Sequence, residues 1–196
     1  MALLEAIARF VDVFNQEDDK SGTLTLLTEK RAVPGELLPS GELRTFYETV
    51  DVDGAVIGNV FLLDIASLNK LPRYQEGWRW VYDTDPAGIE DTEYWHSSWL
   101  VFGYRNADAV FAKLREEKSP VFGSVEKAEE YQLATSLESF LTIMAACMTM
   151  VRDEFQYETK LEDFTVKPEV IDRTREIVTQ HESPEITDRF IAFFFE

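Results

Sequence analysis

The sequence predicts an α+β fold: a β-sheet core with helices packed on it, followed by a C-terminal helical appendage. Two observations carry this prediction. Three runs rich in β-branched and aromatic residues, at residues 98–103, 108–114 and 119–123, are separated by turn residues, which is typical of strands. Segments with apolar residues at helical spacing precede and follow these runs.

The first predicted elements are a helix and a strand. Residues 2–14 place Leu3, Ile7 and Phe10 at helical spacing, which predicts an amphipathic helix. An acidic break ends this helix. Residues 23–28 then alternate between apolar and polar side chains, which predicts a strand with one face in water.

A second helix is expected to begin near Ser40 and to dock on the sheet. The Ser40 hydroxyl can accept a hydrogen bond from an unpaired amide of the first turn. The apolar face of this helix is expected to consist of Leu43, Phe46, Tyr47 and Val50. The segments after it are predicted as a turn at 51–54, a strand at 55–63, one helical turn within 64–71, a strand at 78–82 and a loop at 83–93.

A charged connector and a long helix are predicted after the three strand runs. The connector is expected at residues 126–130. A helix follows it, because Thr135 and Glu138 have the spacing of a capping box. The apolar face that this helix packs on the sheet is expected to consist of Leu137, Phe140, Leu141, Met144 and Met148.

The chain is long enough for one main domain and an appendage, since it has 196 residues. We predict a domain at residues 1–150. Residues 151–196 are predicted as an extension of one or two helices, packed on the domain or on a partner. Ser183 and Pro184 suit the start of the last helix. The phenylalanine-rich end at 193–195 must be buried against the body or a partner.

The chain is strongly acidic. Lysine and arginine total 19 against 37 aspartate and glutamate, which gives a net charge of -18. Such a field repels phosphate backbones and anionic lipid headgroups, and it speeds encounter with basic partners. We therefore expect a basic protein as partner, and neither nucleic acid nor a membrane. The alternative is that the acidity serves solubility alone.

A cytoplasmic location is predicted from three features. The one cysteine, Cys147, allows no intrachain disulfide and is expected to be buried and unreactive. The first residues carry charges within their apolar portion and lack a basic leader. The longest apolar runs are shorter than the roughly 20 residues of a membrane span.

Residue types that carry catalysis or bind metals are scarce. The two histidines, His96 and His181, are far apart in the sequence, whereas a zinc site needs three or four ligands. Ser97 and Ser98 lack the glycine elbow of a catalytic serine, and the expected role of His96 is a structural hydrogen bond at a strand entry. Residues 51–54 lack the remaining ligands of a calcium loop. We therefore expect no catalytic residue, metal or cofactor.

The loop at residues 83–93 has five carboxylates in eleven positions and no cation. A carboxylate pair acting on a sugar, a cation site and a binding surface for a basic protein all fit it, as does a solvated loop beside core tryptophans. We favour the binding surface, because residues of the kind enriched at interface hot spots flank the charge. The predicted contact residues are Asp83, Asp85, Glu90, Asp91, Glu93, Trp78, Trp80 and Trp95.

The order of the segments carries a family resemblance. An amphipathic N-terminal helix precedes a helix with a leucine-proline start, then the central strands and a capped helix. After the N-terminal helix, these segments are residues 38–47, 99–103, 108–111, 120–122 and 134–141. Together they resemble the SMI1/KNR4 family, also called the SUKH superfamily, over residues 1–150.

The resemblance implies a central, mostly antiparallel sheet flanked by helices. Many bacterial members are immunity proteins that neutralise toxins, frequently nucleases, and fungal members are regulatory interaction hubs. We therefore predict a non-catalytic immunity protein for a basic, nuclease-type toxin, because a nuclease must be basic to hold its substrate. Two alternatives stay open: a regulatory scaffold, which forms a homodimer through the phenylalanine-rich tail, and a hydrolase that uses Asp85 and Glu90.

Overall fold

The computed structural model describes residues 3–35, 37–38, 41–82, 88–114 and 117–196. Within these ranges the chain has the α+β fold that the sequence predicts. The helices are α1 (Leu3–Gln16), α2 (Glu42–Thr49), α3 (Leu71–Tyr74), α4 (Leu137–Asp153), α5 (Pro168–Thr179) and α6 (Pro184–Phe195). The strands are β1 (Ser21–Leu26), β2 (Val50–Ile57), β3 (Leu63–Ile65), β4 (Trp80–Val81), β5 (Ile89–Glu90), β6 (Trp99–Arg105), β7 (Asp108–Lys113), β8 (Val121–Val125) and β9 (Glu129–Ala134).

The main sheet of the described ranges has seven strands in the order β1-β2-β3-β6-β7-β8-β9. Each neighbouring pair is antiparallel, as the resemblance implies. β4 and β5 form a separate antiparallel hairpin. The chain therefore leaves the sheet after β3, builds this hairpin, and returns to the sheet at β6.

The sheet separates two apolar cores. Leu100 and Phe102 of β6 belong to the larger core, which also contains buried side chains of α1, α2 and α4. Val101 belongs to the smaller core, because neighbouring residues of a strand point to opposite faces. The five residues predicted for the apolar face of α4 are all buried in the larger core: Leu137, Phe140, Leu141, Met144 and Met148. The smaller core consists of Trp78, Trp95, Val101, Ala109 and Phe111.

The C-terminal helices pack on the body of the protein. Phe190, Phe193 and Phe194 of α6 are buried in the larger core. Phe193 lies against Gly123 of β8, where a Cβ would be 2.4 Å from the Phe193 ring. Ser183 caps α6, as predicted, by accepting a hydrogen bond from its first turn. Of the two predicted locations for the phenylalanine-rich end, the structure therefore shows the body.

A buried carboxylate holds the junction of α5 and α6 against the start of α4. Glu182 is 8% exposed. Its Oε1 accepts hydrogen bonds from the Thr135 backbone N at 2.9 Å, the Thr135 hydroxyl at 3.1 Å and the Ser139 hydroxyl at 2.5 Å. The N-cap of α4 is Ser136, which accepts a hydrogen bond from the Ser139 backbone N. The predicted capping box that starts at Thr135 is therefore wrong by one residue.

The turn predicted at residues 51–54 is also wrong. These residues lie within β2, where Val52 pairs with Leu24 of β1. Gly54 has a φ of 59° at an irregularity in the register, which lets the strand continue through a turn-like sequence. Val52 and Ala55 are buried, and this burial outweighs the local preference for a turn.

Three further predictions near β2 differ from the structure or cannot be compared with it. The strand predicted at 55–63 is divided into β2 and β3 by a turn in which Asn59 and Leu62 have positive φ. Val50, predicted on the apolar face of α2, is the first residue of β2 and is buried there. Ser40 lies outside the described residues.

The charged connector predicted at residues 126–130 already contains the start of β9. The first residues of this strand are exposed glutamates, whereas Leu133 and Ala134 at its end are buried. The buried apolar residues that would indicate a strand in the sequence therefore occur only at the end of β9. Its pairing with β8, and the packing of α6 on it, supply the rest of its stability.

Candidate functional site

The predicted binding loop is centred on the β4–β5 hairpin, in which Val81 lies opposite Ile89. Asp83 and Asp85 lie outside the described residues. The other predicted contact residues lie in the hairpin or beside it: Trp78, Trp80, Glu90, Asp91, Glu93 and Trp95. The structure therefore brings the described part of the prediction together on one feature.

Trp78 and Trp95 attach the hairpin to the second face of the sheet. They are 8% and 2% exposed, and their ring centroids are 5.1 Å apart. Trp95 also lies 4.8 Å from the Phe111 ring of β7, and its indole Nε1 donates a hydrogen bond to the Trp99 carbonyl. These two tryptophans are therefore buried between the hairpin and the sheet, and their rings are not exposed to a partner.

The two strands of the hairpin are joined by an ion pair. Arg79 Nε donates a hydrogen bond to Glu90 Oε1 at 2.8 Å, and the guanidinium lies 5.2 Å from the centroid of the Trp80 ring. The Arg79 carbonyl accepts a hydrogen bond from the Asp91 backbone N. Trp80 itself is half-buried. Glu90 is therefore paired with a cation that precedes the acidic loop in the sequence.

Asp91 is paired with a cation from a distant part of the chain. Lys127 Nζ lies 2.5 Å from Asp91 Oδ2, and the Tyr94 backbone N donates to Asp91 Oδ1 at 3.0 Å. The hydrogen bonds from Lys127 and Tyr94 hold the pKa of the Asp91 carboxyl below its usual value. Glu93 is exposed, and its carboxylate raises the pKa of the Tyr94 hydroxyl. The acidic loop contains no cation of its own, and the cation that pairs with Asp91 comes from the β8–β9 turn.

The Lys127–Asp91 pair also brings two acidic segments together. Lys127 lies between strands β8 and β9, and its neighbours Glu126, Glu129 and Glu130 are exposed. The β8–β9 turn, which carries these exposed glutamates, therefore contacts the hairpin at Asp91, although more than thirty residues separate the two segments in the sequence. The sequence contains no local signal for this proximity.

The hairpin exposes apolar side chains that the sequence prediction omits. Val81, Tyr82, Ile89 and Tyr94 are 38%, 50%, 55% and 60% exposed. We call these four residues, together with the carboxylates of Glu90, Asp91 and Glu93, the hairpin surface. The signal for them in the sequence is alternation, since a half-buried Trp80 implies an outward Val81, but two strand residues are too few to define a face.

A groove of about 1,110 Å³ lies beside the hairpin surface. Arg79 and Trp80 form part of its wall, and β2 contributes Asp51 and Asp53. Arg31 lies there too, but its Nη1 is 2.6 Å from Asp51 Oδ1 and its other donors bind backbone carbonyls. Trp80 lines this groove, whereas its strand neighbour Val81 and the paired Ile89 point to the other face of the hairpin.

His96 forms the structural hydrogen bonds predicted for it. Its Nδ1 lies 3.1 Å from the Ser98 backbone N and 2.8 Å from the Ser98 hydroxyl. The His96 carbonyl accepts a hydrogen bond from the Trp99 backbone N at the start of β6. These contacts form a local turn at the entry of the strand.

A metal site and a reactive thiol are the remaining candidates for chemistry in the described ranges. Among the residues that the structure describes, no group of three or more His, Cys, Asp or Glu side chains could hold a metal ion. Cys147 is buried, as predicted, and burial raises the pKa of its thiol.

The comparison with known proteins gives no match. No family model, curated protein or solved structure matches this chain. The resemblance to the SMI1/KNR4 family, which rests on the order and spacing of segments, therefore stays a prediction. In the described ranges, no helix has the length and apolar character needed to cross a membrane.

Proposed function

We propose that this chain is a non-catalytic domain that binds a basic protein through the hairpin surface. Its role would be that of an immunity protein, which neutralises a basic, nuclease-type toxin in the cytoplasm. The class of partner comes from the charge of the chain and the family resemblance. The place of docking comes from the exposed side chains of the hairpin.

The observation that carries the proposal is the exposure of apolar groups among carboxylates. Four of the nine large hydrophobic side chains exposed in the described ranges belong to the hairpin surface. Exposed apolar groups rimmed by polar ones are typical of protein interaction sites. Tyr82 and Tyr94 also belong to a residue type that is enriched at interface hot spots.

Charge supports a basic partner. The net charge of -18 attracts a cationic protein over long distances. Glu93 is exposed and directly precedes the exposed Tyr94, which places part of that charge beside an apolar group. Charge complementarity of this kind raises the association rate and disfavours acidic partners.

The hairpin surface is also preorganised. Trp78 and Trp95 fix it to the sheet, and the ion pairs of Glu90 and Asp91 fix its two sides. A surface that is already ordered loses less conformational entropy on binding. This arrangement favours tight binding by a small number of displayed side chains.

The test is to look for a toxin gene beside the gene of this chain and to titrate the purified chain with its toxin domain in a catalytically inactive form. The absence of such a gene would contradict the immunity role. We expect a 1:1 complex that weakens as salt rises from about 0.05 to 0.5 M. Ile89→Thr and Tyr94→Ser should each weaken the complex by about tenfold or more. Leu26→Thr is the matched control, because Leu26 is also an exposed strand residue but lies on β1.

Two results of the titration would refute the proposal. One is no complex at the lower salt concentration. The other is a complex that the hairpin variants and the Leu26→Thr control weaken equally, since the hairpin would then have no special role.

A further inference from the structure

A second feature of the molecule displays an aromatic side chain. The segment between α4 and α5 contains a tight loop at residues 159–167, which we call the finger. Its Phe164 is 82% exposed, the most exposed large hydrophobic side chain of the described residues. Leu161 of the same loop is 47% exposed. This nine-residue loop thus exposes two apolar side chains to solvent.

The finger is closed by its own hydrogen bonds. The Leu161 backbone N donates to the Thr165 carbonyl at 2.9 Å, and the Phe164 backbone N donates to the Leu161 carbonyl at 3.0 Å. Asp163 Oδ1 accepts from the Thr165 hydroxyl at 2.6 Å and from the Thr165 backbone N at 3.0 Å. These hydrogen bonds stabilise the loop conformation in which Phe164 is exposed.

The backbone of Phe164 is in an unfavourable conformation. Its φ is 68°, in the left-handed region that asparagine and glycine tolerate and bulky residues avoid. Such strain persists where the surroundings impose it, and it clusters at functional sites. The exposed ring gains little packing within the chain. The positive φ of Phe164 and the exposure of its ring therefore both fail to stabilise the isolated protein.

The root of the finger is fastened to the β2–β3 turn. The Thr159 hydroxyl donates a hydrogen bond to Asn59 Oδ1, and Asn59 Nδ2 donates to the Tyr157 carbonyl at 3.2 Å. The Tyr157 hydroxyl donates to Glu17 Oε2 at 3.2 Å. Leu62, in the same β2–β3 turn, is 43% exposed. Hydrogen bonds therefore hold the root of the finger against this end of the sheet.

The finger and one side of the hairpin surface lie at the same end of the sheet. Leu63 pairs with Arg105, and Arg105 pairs with Asp108, so the β2–β3 and β6–β7 turns share this end. The antiparallel pairing of β7 with β8 places the β8–β9 turn, with Lys127, there as well. Four strand spacings of about 4.8 Å separate the two outer turns, or about 19 Å. A standard interface of about 800 Å² per partner spans that distance.

We infer that the finger is a second contact for the basic partner, which receives Phe164 in an apolar socket rimmed by lysine or arginine. The finger also carries Lys160 and Lys167, but these lie at its root, where Lys160 pairs with Val166. The residues directly before Phe164 are the exposed Glu162 and Asp163, so the part of the socket rim nearest the ring must carry positive charge. The inference rests on the proposed function, because it gives the same partner a second point of attachment. Contact at two places on a rigid body would fix the orientation of the partner.

The test compares Phe164→Asn with the wild-type chain in two measurements. Asparagine tolerates a positive φ, so the midpoint of thermal unfolding should stay the same or rise. The affinity for the inactive toxin domain should fall by about tenfold or more, because a buried aromatic anchor is lost. Leu4→Gln is the control, since Leu4 is 55% exposed on α1, away from both surfaces.

The outcomes separate this inference from the proposed function. Unchanged affinity of Phe164→Asn, while Ile89→Thr weakens the complex, would overturn the finger contact alone. A clear fall in the unfolding midpoint would make Phe164 a structural residue and overturn it as well. A wild-type dimer that Phe164→Asn converts to a monomer would assign the finger to a second copy, against the inference. Failure of the wild-type chain to bind the toxin domain would overturn both.

Discussion

At the scale of single residues, the contact that shapes the candidate site is the ion pair of Asp91 and Lys127. The two side chains are only 12% and 17% exposed, so water screens the pair less than an ordinary surface pair. The pair also connects the hairpin with the β8–β9 turn. Loss of this ion pair should therefore lower the stability of the protein and alter the conformation of the hairpin surface.

Lys127→Met tests this contact. We expect the free energy of unfolding at pH 7 to fall by about 0.5–1 kcal/mol. Because the pKa of Asp91 is lowered in the folded protein, the stabilisation is present above the unfolded pKa of about 3.9 and disappears as pH falls through the folded value. Urea unfolding of wild type and variant at neutral and at acidic pH measures this stabilisation. Lys70→Met is the control, because Lys70 is an exposed lysine directly before α3. A difference between wild type and variant that does not change with pH would contradict the assignment.

Single side chains also show the limit of sequence-based prediction at the site. The sequence correctly gathers aromatic and acidic residues in one segment. It does not show that Trp78 and Trp95 are buried while Tyr82 and Tyr94 are exposed. Short strands and turns give too little periodicity to decide which way a ring points, and the sheet beneath them decides it.

At the scale of elements, the docking of α6 on the sheet depends on the absence of a side chain. Gly123 leaves room for the Phe193 ring, which would otherwise lie 2.4 Å from a Cβ. Phe193 also contacts the Tyr131 ring of β9, with centroids 5.8 Å apart. The C-terminal helix is thus fitted to two adjacent strands.

Gly123→Ala should destabilise the protein by about 1–3 kcal/mol, because the added methyl group overpacks the contact. In the double variant Gly123→Ala with Phe193→Ala, the total loss should be smaller than the sum of the two single losses by about 0.5 kcal/mol or more. Chemical unfolding of the four proteins gives this coupling. Additive losses would show that the glycine has another role.

Elements with a long apolar stripe were predictable, and elements defined by their neighbours were not. α1, α4 and the strands β6 to β8 follow from the sequence, because each buries several apolar residues at regular spacing. The first half of β2 carries aspartates on one exposed face, and β9 begins with two adjacent exposed glutamates. Their strand conformation comes from pairing with adjacent strands, which a local pattern does not contain.

At the scale of the whole molecule, the excess of acidic groups acts on stability. Burial raises the pKa of four carboxyl groups, those of Glu17, Asp19, Glu42 and Asp108. Each group binds its proton more tightly in the folded chain than in the unfolded chain. Its protonation at mildly acidic pH therefore stabilises the fold, and its ionisation as pH rises has the opposite effect.

The free energy of unfolding should therefore be larger near about pH 5, just above the unfolded carboxyl pKa values, than near about pH 7.5, and it should fall again where the ion-paired carboxylates protonate below about pH 4. Added salt should raise stability at the higher pH, because it screens the repulsion within a chain of net charge -18. Urea unfolding at the two pH values and two salt concentrations tests both effects. A free energy of unfolding that rises with pH over this range would refute this explanation.

The surface that the whole molecule presents to its partner can be mapped by hydrogen exchange on the complex with the inactive toxin domain. We expect amides of residues 88–96 on the hairpin and of residues 159–167 in the finger to exchange more slowly in the complex than in the free protein. Amides of α5 should exchange at the same rate with and without the partner. Protection confined to α5, or spread evenly over the chain, would contradict the claim that this protein acts through the hairpin surface.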